Sequence, residues 1–215
     1  MKNACKVPRM ARPKRIFEVN HYYHLVNRGV DKRTTFEDED DYSEFIQLLI
    51  EGCNRYKMNM IAYLLMPNHY HILIQFKLGD DVSKCIQWVT GEYARYFNRK
   101  RGRQGHLWQG RFFSREIAEG RELGTVWKYV EQNAYRANLV DRSNSWKWGS
   151  AFIRANNISS PKVHNPSWWG SRELKKWWSE EPLSQESLKK IRRRVRRKRK
   201  RTESSNPFSL PIGEQ

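Results

Sequence analysis

The stretch Ile61-Ala-Tyr-Leu-Leu-Met-Pro-Asn-His-Tyr-His-Ile-Leu-Ile-Gln-Phe76 reads as two apolar strands broken at Pro67-Asn68, a turn signal. Side chains alternate between the two faces of an extended strand. His69 and His71 therefore share one face, and Tyr70 and Ile72 share the other. Two neutral imidazoles side by side are half of a metal site. His-x-His alone is a weak signal, because solvent-facing strand histidines have the same spacing. A third ligand, a nucleophile and a substrate-binding surface have to come from elsewhere in the chain.

The neighbouring segments supply a fold for this hairpin. Residues 21–28 read as a strand ended by Gly29, with His24 and Val26 on one face and Tyr23, Leu25 and Asn27 on the other. Both His21 and His24 read as fold histidines rather than ligands. Residues 40–57 read as a helix, since Tyr42, Phe45, Ile46, Leu49 and Cys53 recur at steps of three and four. The acidic residues from Asp38 to Asp41 sit at its start, where the helix dipole favours them. A second helix from Val82 to Asn98 carries Val82, Ile86, Val89, Tyr93 and Phe97 as its apolar stripe. A basic, glycine-punctuated segment follows, then a strand near Gln109 to Ile117 and a third helix from Glu122 to Ala137. This order predicts an α+β, ferredoxin-like (RRM-like) antiparallel sheet with helices on one face and the last helix on or beside the sheet. Fold alone does not give function.

At 215 residues the chain has room for one ordinary core and an appendage. The charge is lopsided, with 41 Lys and Arg against 23 Asp and Glu, a net +18. Such a balance points to a polyanionic partner, nucleic acid or an acidic membrane surface. An aromatic content of 13% provides core and stacking surfaces and argues against a simple disordered basic protein. No apolar run approaches the ~18 residues of a membrane span, and the basic N-terminus lacks the apolar stretch of a secretory signal. The expectation is a cytoplasmic protein with no membrane partner, its oligomeric state open with a monomer favoured. Cys5, Cys53 and Cys85 are scattered and form no CxxC, so neither a zinc ribbon nor a disulfide frame is indicated. Cys53 and Cys85 fall on apolar helix faces, as small buried thiols do in a reducing compartment.

Composition shifts after about residue 155, which suggests a domain over 1–155 and a Trp-containing, basic extension over 156–215. Six of the nine tryptophans lie at Trp146, Trp148, Trp168, Trp169, Trp177 and Trp178, available for packing or for base stacking. Residues 189–201 hold eleven basic residues in thirteen, and without them the chain is still at +7. That run has almost no apolar stripe, and self-repulsion should leave it largely disordered when free.

The third helix carries Lys128-Tyr-Val-Glu-Gln-Asn-Ala-Tyr-Arg-Ala-Asn-Leu-Val140. Tyr129 and Asn133, four apart, project from one helical face, and Tyr135, on another face, is the competing tyrosine. Four motifs now stand in order: Met66-Pro-Asn-His-Tyr-His-Ile-Leu73, Leu107-Trp-Gln-Gly-Arg-Phe112, Tyr129-Val-Glu-Gln-Asn133 and Trp146-Lys-Trp-Gly-Ser150. Over roughly residues 10–155 this arrangement resembles the single-tyrosine transposases of the HUH superfamily, in particular the REP-associated tyrosine transposases. The resemblance implies a metal-dependent nuclease and strand transferase. Its helical tyrosine becomes joined to a DNA 5′ phosphate and releases a 3′ hydroxyl. By position, Tyr129 would be the nucleophile, and His69, His71 and Asn133 would hold a divalent Mg²⁺ or Mn²⁺. The implied substrate is single-stranded DNA, a repeated palindromic element folded as a hairpin with a short flanking tetranucleotide. One departure is Ala134, where REP-associated members often have proline; it bears on helix geometry rather than chemistry.

The chemistry suits the residues. A phenol ionises near ~10, so its attack needs help, and a metal on the scissile phosphate can neutralise charge there. Hard cations favour oxygen ligands, which a carboxamide, phosphate and water can supply. Candidate phosphate contacts are Arg12, Lys14 and Arg15, then Arg99, Lys100, Arg101, Arg103 and Arg111, then Arg192, Arg193, Arg194, Arg196 and Arg197. Two other readings stay open. A non-catalytic binding module on the same sheet, a domesticated repressor or RNA binder, would need neither metal nor Tyr129. A rolling-circle initiator fits less well, since no helicase domain is expected among these residues and only one plausible nucleophile sits near Asn133.

Overall fold

The computed structural model describes residues 14–77, 82–166 and 183–193. Its sheet comprises β1 (Tyr22–Arg28), β2 (Met58–Met66), β3 (His69–Phe76) and β4 (Phe113–Ile117) in the order β2-β3-β1-β4, every neighbour antiparallel. Helix α1 (Glu39–Arg55) links β1 to β2, and α2 (Val82–Lys100) links β3 to β4. The expected ferredoxin-like order is present.

The pleat decides what each face buries. Tyr70, Ile72 and Ile74 of β3, with Tyr23 and Leu25 of β1, join Phe45, Leu49, Val89 and Tyr93 of α1 and α2 in one core. Leu73 and Leu64, on the opposite face, pack with Leu123, Val126, Trp127 and Val130 of α3 (Arg121–Glu131) in a second core. A register shift between Met60 and Ala62 changes the phase of β2, so Ile61 and Ala62 both belong to the second core.

Residues 146–150 cover the open edge of β2. The Leu65 amide donates to the Trp148 carbonyl at 3.0 Å, and the Trp146 indole donates to the Leu65 carbonyl at 2.8 Å. Trp148 stacks on Tyr42, ring centroids 4.6 Å apart. Gly149 lets the segment approach closely, because a Cβ there would stand 2.7 Å from Leu64 Cδ1 and force it to shift. These two tryptophans therefore pack; Trp168, Trp169, Trp177 and Trp178 lie outside the described residues.

Helices α1 and α2 meet through opposite dipole ends. Asp38 caps α1 by accepting from the Asp41 amide at 3.1 Å. The Lys100 ammonium, at the end of α2, lies 2.7 Å from Asp38, and Arg101 grips the fully buried Asp41 through Nη1 and Nη2. Cys53 and Cys85 are buried thiols, and burial pushes Cys53 up to about 12.

Three elements differ from the sequence expectation. The last strand starts at Phe113, because residues 108–109 only bridge the end of β1, through Gly29 and the Arg28 carbonyl. The third helix is interrupted at Gln132 and resumes as α4 (Asn133–Arg136). There the Tyr129 carbonyl accepts from two side chains, Asn133 Nδ2 and Arg136 Nη2, each at 2.8 Å. The basic run, expected to be disordered, begins inside a helix: after α5 (Ser150–Ala155), residues 185–193 form α6. Leu188 and Ile191, three apart, bury one side of α6 in the core that holds Val130 and Ala134. That two-residue stripe supplies the anchoring the run otherwise lacks. Residues 194–215, the rest of the expected tail, lie outside the described residues.

A buried polar cluster ties α3 to β2. Glu131, 3% exposed, accepts from Ser150 Oγ at 2.6 Å and pairs with Arg154, whose other arm takes the Ile61 carbonyl at the bulge. The Arg154 guanidinium also lies over the Trp127 ring, 4.6 Å from its centroid. Removing one partner of such a pair leaves a buried charge uncompensated. Glu131→Ala should therefore cost about 3–5 kcal/mol in urea unfolding. Lys147→Ala, which breaks the exposed Lys147–Glu39 pair, should cost under ~1 kcal/mol. Equal losses would contradict this ranking.

Candidate active site

On the α3 side of the sheet, β3 presents His69 and His71, and β1 presents His24. Register sets Val26 opposite His71 and His24 opposite Leu73, so His24 and His71 are diagonal neighbours on one face. Their rings stack at 5.2 Å and 14°, with His24 Nε2 3.0 Å from His71 Nδ1. The ring centroids of His69 and His71 are 5.1 Å apart. His69 Nδ1 lies 2.7 Å from Asn68 Oδ1, and Asn68 Nδ2 donates to the Lys32 carbonyl at 3.0 Å. The Pro67-Asn68 turn is gripped in turn by the segment after β1: the Thr35 and Phe36 amides donate to the Pro67 carbonyl.

Helix α3 lowers Tyr129 onto this face. Its ring stands edge-on to His71 at 5.6 Å and 90°, and to His24 at 6.1 Å and 80°. Arg136 lies over the Tyr129 ring, 5.2 Å from its centroid, and burial draws its guanidinium down to about 10. The described hydrogen bond of Asn133 goes to the Tyr129 carbonyl rather than to an imidazole. That bond fixes its NH₂ side, so Oδ1 is the atom available to a cation. Tyr135, the competing tyrosine, is 43% exposed, whereas Tyr129 is buried.

Among the described residues there is no group of three or more His, Cys, Asp or Glu able to hold a metal. A cation at His69 and His71 would have two imidazoles from the strand and would need oxygens, from a carboxamide, substrate or water, to complete its shell. Such a donor set fits a divalent ion that binds together with a phosphate.

The expected phosphate contacts divide. Lys14, Arg99 and Arg111 are exposed, as are Arg192 and Arg193 on α6. Arg15 donates to the Phe112 carbonyl and lies 4.1 Å over its ring; burial first, and Arg111 second, draws it down to about 10. Arg103 lies 5.6 Å over Phe97. Lys100 and Arg101 already have carboxylate partners on α1 and act in helix packing. Arg12, Arg194, Arg196 and Arg197 are outside the described residues.

Sequence reasoning set His24 aside as a fold residue, and it passed over Asn68, Arg136 and Glu131. For His24 the alternation on β1 was visible, but the pairing of β1 with β3 was not. Asn68 stood in the motif as a turn residue, with no sign of its bond to His69.

The model of the family described as "Transposase IS200 like" matches residues 18–133, more than half of the chain. The chain belongs to that family, a class of DNA-recombining enzymes. It is similar to a Haemophilus influenzae protein described as a REP-associated tyrosine transposase, 24% identical over 146 residues, 63% of this chain and 81% of that protein. It also resembles a solved REP-associated tyrosine transposase bound to a REP hairpin. The TM-score is 0.57 at 17% identity, covering 74% of this chain and 96% of that one, a likeness of fold. The resemblance carried by the four motifs is borne out. No helix among the described residues is long and apolar enough to cross a membrane.

His24 gives the site a pH signature. Burial first, and Arg115 second, pushes it down to about 3, so it is neutral in the folded protein. In the unfolded chain a histidine titrates near ~6.5. Between those values the unfolded state binds a proton that the folded state excludes. This contribution is therefore complete above pH ~6.5 and is lost as pH falls toward the folded value. In chelator, urea unfolding should show a loss of about 1.4 kcal/mol per pH unit below ~6.5 from this group. His24→Gln should flatten that slope between pH 6 and 5; a profile parallel to the wild type would contradict it.

Proposed function

We propose that this protein cuts and rejoins single-stranded DNA through a covalent bond between Tyr129 and a 5′ phosphate, with a divalent metal as cofactor. The observation that carries the proposal is the Tyr129 ring, edge-on to His71 at 5.6 Å on the face that also holds His69. A helical phenol beside a paired-imidazole site is what the reaction requires. Membership in a transposase family supports the same reading.

In this scheme His69, His71 and Asn133 would hold Mg²⁺ or Mn²⁺, which would neutralise charge on the scissile phosphate. Tyr129 Oη forms a bond to phosphorus as the bond from phosphorus to the 3′ oxygen breaks. The phenolic proton leaves to solvent, and the departing 3′ oxygen takes up a proton. Attack by a 3′ hydroxyl reverses the step, re-forms the phosphodiester and frees Tyr129, because the linkage energy is conserved in the phosphotyrosine. The substrate is a hairpin of a repeated palindromic element, by analogy with the relative solved on a REP hairpin. Exposed Arg192 and Arg193, on the helix that Leu188 and Ile191 anchor in the second core, belong to a basic run suited to the backbone of such a hairpin. The protein acts as a monomer in the bacterial cytoplasm, at the nucleoid.

Incubation with hairpin-bearing single-stranded oligonucleotides and Mn²⁺ should yield a covalent protein–DNA band. Tyr129→Phe should reduce that band to background with DNA affinity nearly intact, since only one oxygen is lost. A Tyr129→Phe adduct at wild-type level would move the role to Tyr135. DNA binding with no adduct in the wild type would favour a non-catalytic binding module.

Deleting residues 194–215 tests the tail while keeping Leu188 and Ile191, which bury α6. If the tail contacts phosphates, affinity should fall, and the slope of log K against log salt should flatten by about 0.7 per lost contact on a single strand. An unchanged slope would leave Arg99, Arg103 and Arg111 as the main candidates.

A further inference from the structure

The two histidines of the candidate metal site differ from ordinary strand histidines in what stands behind them. Each has its Nδ1 at a buried or half-buried partner: His69 at Asn68 Oδ1, 2.7 Å away, and His71 at His24 Nε2, 3.0 Å away. Neither partner belongs to the ligand set or the nucleophile. We propose that Asn68 and His24 are positioning residues that fix the tautomer and tilt of His69 and His71, making Nε2 of each the metal-ligating atom. The proposal rests on the metal-dependent reading above and adds to it which nitrogen ligates and what holds it there.

The hydrogen-bond chemistry runs in one direction. A carboxamide oxygen can only accept, so His69 Nδ1 must carry the proton that meets Asn68 Oδ1. The amide of Asn68 cannot turn round without losing its own bond to the Lys32 carbonyl. With the proton on Nδ1, a neutral His69 offers its lone pair at Nε2. The His24–His71 pair has two arrangements. In one, His71 Nδ1 donates to His24 Nε2, and His71 offers Nε2 to a metal. In the other, His24 Nε2 donates to His71 Nδ1, and His71 Nε2 carries a proton and cannot ligate. Only the first is compatible with a metal. It leaves the proton of His24 on Nδ1, which is buried without a hydrogen-bond partner, a cost that metal binding at His71 has to offset. A ligand histidine held through its second nitrogen is the usual arrangement of metal sites, and losing such a partner weakens metal binding by roughly 10- to 100-fold. The unusual feature here is that the partner of His71 is a second imidazole, 1% exposed, on a different strand.

The test is Mn²⁺ binding to the full chain by calorimetry, without DNA. His24→Leu should weaken binding roughly 10- to 100-fold. His24→Gln, which can offer an oxygen near the position of Nε2, should recover most of that loss. Asn68→Ala should weaken binding in the same range, and Asn68→Asp, which keeps the acceptor, should bind better than Asn68→Ala. A nitrogen NMR spectrum of histidine-labelled wild type with Mg²⁺ supplies a readout independent of mutant folding: His69 and His71 should both be protonated at Nδ1. Protonation of either at Nε2, or Mn²⁺ binding by His24→Leu equal to the wild type, overturns the proposal. Failure of the metal reading itself looks different. In that case the wild type binds no Mn²⁺, or His69→Ala and His71→Ala bind as well as it does, and both readings fall together.

Discussion

The pleat of β3 is the constraint on which the rest depends. Tyr70, Ile72 and Ile74 enter the core under α1 and α2, so His69, His71 and Leu73 must face the other way. That second face is too apolar to be left in water, with Leu64, Leu73 and Ile117 on it, and α3 covers it. The histidines are consequently not a surface pair. His71 is 4% exposed, and the helix that buries it brings Tyr129 with it. One act of packing closes the second core and assembles the candidate site.

Holding α3 in place takes more than apolar contact. Glu131, two residues beyond Tyr129, is fixed by Ser150 and Arg154, and Arg154 also takes the Ile61 carbonyl at the β2 bulge. The phenol is thereby referenced to the sheet through a buried charge pair that tolerates little displacement. Just past it the helix is interrupted, and Asn133 and Arg136 both close on the Tyr129 carbonyl. Continuous helix geometry would have set Asn133 by periodicity alone. Here a side-chain hydrogen bond sets it.

The large positive charge of the chain does not act as a single surface. Lys100 and Arg101 are matched by the carboxylates at the start of α1, a pairing that follows from two antiparallel helices with opposed dipoles. Arg154 is matched by Glu131. Lys14, Arg99, Arg111, Arg192 and Arg193 are exposed. A count of basic residues indicates the sign of the partner, but it does not separate the charges that hold helices together from those left to face a polyanion.

Short stretches of the chain carry what neighbouring residues can encode. The alternation in β3 placed His69 and His71 on one face, the three- and four-residue steps marked α1 and α2, and the order of elements specified the sheet. These patterns are local, because strand and helix periodicity follow from backbone geometry. Tertiary structure decided what depends on register between distant segments. His24 reaches His71 across 47 positions because β1 pairs with β3 in one particular register, and a shift of one residue would turn it to the other core. Likewise Leu188 and Ile191 look like two apolar residues in a charged run until the second core supplies the surface that buries them. Burial is a property of what arrives from elsewhere in the chain, and no window of sequence contains it.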